Sequence, residues 1–161
     1  MTYESLEAAI VGRLQGLTSV AANVLPENDN EYTTPYTMAD VVVAYNSSAF
    51  DDSQTSDLIS QPETIHLQLV VRSRRLRGKS GIYQVLDALQ GKLQGWRPPD
   101  CTKIHLLNVK FESHNADLWT YSMMISTEGF RIEQPDPETD ILSTQISLKD
   151  ETGTVNVDVT A

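Results

Sequence analysis

The 161 residues suffice for one self-supporting core, with 40% hydrophobic and 21% charged content in the ordinary globular range. A net charge of −10 excludes nucleic-acid binding over the whole surface, because phosphates would be repelled. The lone cysteine, Cys101, excludes an internal disulfide, and no apolar run approaches the ~18 residues that a membrane span requires.

The chain opens with an amphipathic pattern, MTYESLEAAIVGRLQ, that lacks the layout of a signal peptide. The spacing of Leu6, Ile10, Leu14 and Leu17 predicts a helix over Thr2–Leu17. Thr2 caps it, and Glu4 and Glu7 suit its positive end. Gly12 and Gly16 weaken it unless another element packs closely there. Val24–Met38 reads as a polar loop, Asp40–Tyr45 as a short strand, and Asn46–Gln61 as a second polar loop or an extended hairpin.

Glu63–Arg74 alternates most clearly, with Ile65, Leu67, Leu69 and Val71 on one face. It ends in a basic turn. Arg72, Arg74, Arg75, Arg77 and Lys79 are five of the twelve Lys and Arg residues, whereas residues 1–63 hold ten acidic side chains and only Arg13. Such polarity suits head-to-tail association, against the plainer reading of a solvated turn.

A second helix follows. Ser80 is its expected cap, and Ile82, Val85, Leu86, Leu89 and Leu93 form its apolar face. Gly95 occupies the left-handed position after its end, and Pro98-Pro99 forbids continuation. Lys103–Glu112 is expected as a strand with Leu107, Val109 and Phe111 inward and a bulge near Leu106–Leu107. His114–Asp117 reads as a turn. Leu118–Thr127 reads as a strand with Trp119, Tyr121, Met123 and Ile125 on one face.

The order predicts an α+β domain: a four-stranded, mostly antiparallel sheet with two helices on one face. It spans residues 1–132. Residues 133–161 form an extended C-terminal arm with two β-prone segments, Ile141–Leu148 and Thr154–Val159, and too few large apolar groups for a core.

Chemistry is sparse. His66, His105 and His114 lack metal-ligand spacing, although His66 and His105 could be neighbours on the outer sheet face. Gly78-Lys79-Ser80 ends like a phosphate loop, but Ser73 stands where the first glycine belongs. Asp51-Asp52 and Asp136/Glu138 lie in polar loops, without the burial that makes an acid–base pair. No catalytic, cofactor or metal site is expected. The basic cluster is the one candidate interaction site.

Four stretches, YESLEAAIVGRLQ, VLPENDNEY, SRRLRGKSGIYQVLDALQGKLQGWRPP and LWTYSMMI, resemble the tail terminator proteins of Mu-like contractile-tailed phages. Together they span Tyr3–Ile132. The resemblance implies a non-enzymatic virion protein, assembled in the host cytoplasm, that forms a hexameric ring. The ring would cap the tail tube, hold the sheath and join the tail to the head or neck, while DNA passes without specific binding. A head–tail joining ring, or a nucleic-acid-binding module using Arg72–Lys79, are the alternatives.

Overall fold

A computed structural model describes residues 2–17, 20–24, 39–53, 59–134, 147–150 and 153–156. Helix α1 runs over Tyr3–Leu14, three residues short of the expected end. Thr2 caps it as the sequence suggests: its hydroxyl accepts from the Ser5 amide at 3.1 Å, and the Ser5 side chain completes a capping box. Leu6, Ile10 and Leu14 are buried. Gly12 and Gly16 face open space within the chain, so neither provides a close intramolecular approach.

The sheet has five strands rather than four. Strand β1 (Val20–Val24) pairs parallel with β2 (Ala39–Phe50), which pairs antiparallel with β3 (Ser60–Ser73). Strands β4 (His105–Asn115) and β5 (Leu118–Ile132) complete the order β1-β2-β3-β5-β4. Strand β1 was not foreseen. Its pairing is parallel, so no local hairpin signal marks it, and its five residues, VAANV, are too few for a clear alternation. The remainder of the expected Val24–Met38 loop lies outside the described residues.

Strand β2 continues to Phe50, through residues expected to be loop or hairpin, with a register shift between Tyr45 and Ser47. Asn46–Phe50 thus follow the hairpin alternative, with Ser47–Phe50 paired to Glu63–His66 of β3, and residues 54–58 lie outside the described residues. The alternation of β3 is as read: Ile65, Leu67, Leu69 and Val71 are buried.

Helix α2 spans Ile82–Leu93 and buries all five residues of the expected face. Leu6, Ile10 and Leu14 of α1 share one core with these, with Val41, Val43 and the β3 row, and with Met123 and Ile125. Each fully buried Leu or Ile contributes about 1.5–3 kcal/mol. Trp119 and Tyr121 pack on its margin.

Strand β4 corrects one expectation. Leu107, Val109 and Phe111 are not buried; they are 49, 40 and 48% exposed. The expected bulge is present: Leu106 pairs with Ile125 and Asn108 with Met124, leaving Leu107 between them. Val109 and Phe111 pair with Met123 and Tyr121 and share their face. They stay open because β4 lies at the sheet edge.

The β4–β5 connection is a two-residue turn at Ala116-Asp117, both at positive φ (47° and 60°), as tight hairpins demand. In the C-terminal region β6 (Ser147–Asp150) and β7 (Gly153–Asn156) pair antiparallel in a separate two-stranded sheet. The Pro135–Pro137 connection lies outside the described residues.

Candidate assembly surface

The basic cluster sits on a built turn. Strand β3 ends at Ser73, whose hydroxyl donates to the Ser80 carbonyl at 2.9 Å and accepts from the Arg75 amide at 3.2 Å. The Gly81 amide donates to the Gly78 carbonyl at 2.9 Å, and the Ile82 amide donates to the Arg75 carbonyl at 2.9 Å. Gly78, at φ 81°, turns the chain through a conformation that suits glycine. Leu76 packs on the core.

This turn overturns the expected cap. Ser80 is at φ 61°, outside the helix, and Gly81 is the N-cap with no side-chain hydrogen bond. Gly81 itself has φ −77° and ψ 154°, angles any residue adopts. Space is the constraint: a Cβ there would lie 2.6 Å from the Arg77 carbonyl carbon. The glycine therefore lets helix α2 start against the back of the turn. At the other end Gly95, at φ 73°, follows the helix as its spacing implied.

The turn divides the five cations. Arg72 lies on the outer sheet face, and its Nε meets the fully buried Asp40 carboxylate at 3.3 Å. It is a sheet residue paired across β2 and β3. Arg74, Arg75, Arg77 and Lys79 are exposed. The sequence grouped all five as one contact site; the fold separates Arg72 from the other four.

Aromatic side chains stand beside them. Ser73 pairs with Trp119, and Trp119 with His114, whose ring stacks on the indole with 4.0 Å between centroids. Phe111 meets Tyr121 edge-on at 5.4 Å, and Tyr83 meets Tyr121 at 6.4 Å. Burial pushes the Tyr121 phenol up, and hydrogen bonding with Tyr83 adds to this. Tyr83 and Phe111 are 43 and 48% exposed.

The outer sheet face is mixed: Gln68, Thr120, Ser122 and Ser126 share it with Val42, Val70 and Met124. Ser122 donates to Glu112 at 2.6 Å. His66 and His105 both pair with Ser126, from opposite sides. They are thus two strand spacings apart, about 9–10 Å between backbones, rather than neighbours. Among the described residues no group of three or more His, Cys, Asp or Glu is placed to hold a metal ion. Burial pushes the Cys101 thiol up, away from the reactive thiolate.

Sequence reasoning passed over the far end of the sheet. There Glu63, almost fully buried, accepts 2.6 Å hydrogen bonds from the Tyr3 hydroxyl and from Arg131 Nε. The Arg131 guanidinium also lies over the Tyr3 ring, 4.8 Å from its centroid. Beyond this knot Phe50, Phe130 and Ile132 stand exposed. Apolar residues in an otherwise polar strand end are the signal that could have marked them.

The geometry defines an α+β domain with a two-helix layer on one sheet face, a mixed opposite face and a hydrogen-bonded cationic turn at one end. The chain belongs to the Gp37 protein family, whose model matches residues 10–150. A chain of the virion of a native gene transfer agent particle is 14% identical, with a TM-score of 0.45, covering 79% of this chain and 98% of that one. No curated protein matches.

Proposed function

We propose that the chain is a non-enzymatic structural protein of a phage-like virion, and specifically a tail terminator. One observation carries this reading. The stretch with the strongest family likeness, Ser73–Pro99, folds as a single strand–turn–helix in which five of its distinctive residues have a structural task. Leu76 anchors the turn, Gly78 reverses it, Gly81 clears the Arg77 backbone, Ile82 enters the core and Gly95 ends the helix. The turn is thereby fixed while Arg75, Arg77 and Lys79 project outward.

On this reading six chains of 17.9 kDa form a ring of about 107 kDa. The ring caps the tail tube, holds the top of the sheath and meets the head or neck. Residues 1–132 build the ring, and residues 133–161 are an arm that reaches the terminal sheath ring. An added edge strand supplies main-chain hydrogen bonds with little demand on sequence. The net negative chain suits a passage through which DNA slides without sticking.

Electron cryo-microscopy of assembled particles tests this. Density for six copies on the last tube ring is the expected result. Density on the head side of the neck would identify a joining ring instead. Salt-sensitive DNA binding by the free protein, lost on replacing Arg74 and Arg75, would favour a nucleic-acid-binding module.

A further inference from the structure

Exposed large apolar side chains gather at both ends of the β3–β5 pair, and the two ends carry opposite charge. At one end Phe50, Ile59, Phe130 and Ile132 are 52, 51, 57 and 62% exposed. Pairing brings Phe130 and Ile132 together on the face away from the helices, whereas Phe50 shares the helix-side face with Glu63. Phe50 faces Glu63, Phe130 faces Pro62, and Ile132 faces Ser60. The Glu133 amide donates to the Ile59 carbonyl at 2.8 Å, and the Ile59 amide donates to the Glu133 carboxylate at 3.0 Å. This tip carries Asp51, Asp52 and Glu133. Its arginine, Arg131, is turned back onto Glu63.

At the other end the half-exposed Tyr83 and Phe111 lie beside the Trp119–His114 stack. Arg74, Arg75, Arg77 and Lys79 lie exposed on the adjoining turn, whose Leu76 carbonyl accepts from the Tyr83 amide at 3.3 Å, and Asp87, Glu112 and Asp117 are carboxylates on the flanking elements. Strand β3 links the two ends. Its 14 residues make them about 45 Å apart at roughly 3.3 Å per residue. The two surfaces therefore cannot meet within one molecule.

We infer that the Phe130–Ile132 tip of one chain docks on the Tyr83–Phe111 end of a second copy, with Asp51, Asp52 and Glu133 facing Arg75, Arg77 and Lys79. Each surface has an apolar centre and a charged rim, the layout of a specific protein interface. Aromatic and arginine side chains are those most often found at its energetic centre. The contact joins unlike surfaces, so repetition gives a ring or a filament. Closure into a ring rests on the tail-terminator reading; the contact itself does not.

Charge reversal tests it. Arg75→Glu with Arg77→Glu, and separately Asp51→Lys with Asp52→Lys, should each weaken self-association about tenfold or more in sedimentation and native mass spectrometry. Circular dichroism should show both variants folded, since all four side chains are exposed. The four substitutions in one chain should restore assembly. An equimolar mixture of the two variants should also assemble, with the chains alternating.

A wild-type chain that stays monomeric at high concentration and in tails overturns the inference. So does self-association that ignores both reversals, or variants that neither the combination nor the mixture rescues. If only the arginine reversal weakens assembly, the partner is not this tip and the inference fails. Rescue without capping of tubes keeps the contact and removes the proposed function. Capping that is unaffected by either reversal does the opposite.

Discussion

Glu63 and Arg131 form a diagonal pair across β3 and β5: Glu63 faces Gly129, Arg131 faces Gln61, and their side chains meet at 2.6 Å. Tyr3, the first residue of α1, donates to the other carboxylate oxygen. One buried carboxylate thus ties the start of the chain to the last strand of the sheet. Burial pushes its pKa up, but hydrogen bonds from Tyr3, Ser48 and Arg131 outweigh burial and hold it below the usual carboxylate range.

The sign of the pH dependence follows. The folded state holds Glu63 ionised more firmly than the unfolded chain does. Its stabilisation is complete above the unfolded value of about 4.3 and is lost as pH falls through the lowered folded value. Glu63→Gln should flatten the acid limb of a thermal-stability profile and cost roughly 1–3 kcal/mol at pH 7, a figure reduced by the partial exposure of Arg131.

Tyr3 responds at the other extreme. Its hydrogen bond to Glu63 raises its pKa, so this stabilisation is present below about pH 10 and is lost as pH rises through the raised value. Tyr3→Phe should remove that alkaline loss. A double-mutant cycle with Glu63→Gln should show coupling of about 0.5–3 kcal/mol.

Gly81→Ala should destabilise the domain by about 1–3 kcal/mol, because the new methyl group meets Arg77 backbone rather than a movable side chain. Chemical denaturation measures the loss. Gly91→Ala is the control: it lies in α2 with open space around it, and should stabilise by up to about 1 kcal/mol.

Ala116 is the converse case. It occupies the tight turn at φ 47°, a region costly for a residue with a Cβ. Ala116→Gly should raise stability by about 0.5–1 kcal/mol despite the extra freedom glycine gives the unfolded chain. Its melting temperature, read against wild type, checks this.

On the tail-terminator proposal, removal of Gln134–Ala161 should leave a folded domain that caps tubes but retains sheath poorly. Sheath retention on purified tails is the measurement. A truncated protein that fails to fold would place the arm within the domain's own core.

Legibility followed burial. Helix α2 was readable because five apolar residues at helical spacing all enter the core, and β3 because one face alone is covered. The alternation failed wherever no face is covered. Residues Asn46–Phe50 read equally as loop or hairpin because their strand runs out beyond the main core, where polarity carries no period. On β4 the bulge was readable but the burial was not, since no periodicity tells how far a helix extends over an edge. The basic cluster was visible as composition. Its division, with Arg72 committed to Asp40, depends on a partner 32 residues away.

The strand order sets a condition on how the chain folds as it is made. Strand β5 is synthesised after β4 yet lies between β3 and β4. A chain emerging from the ribosome can place α1, β2, β3 and α2 early, but β3 keeps a bare edge until Ile132 has followed. The 14-residue β3 then presents a long unsatisfied row of amides and carbonyls, open to the wrong partner. The two-residue turn at Ala116-Asp117 shortens that interval: it lets β5 zip along β4 as each residue appears and arrive at β3 already paired.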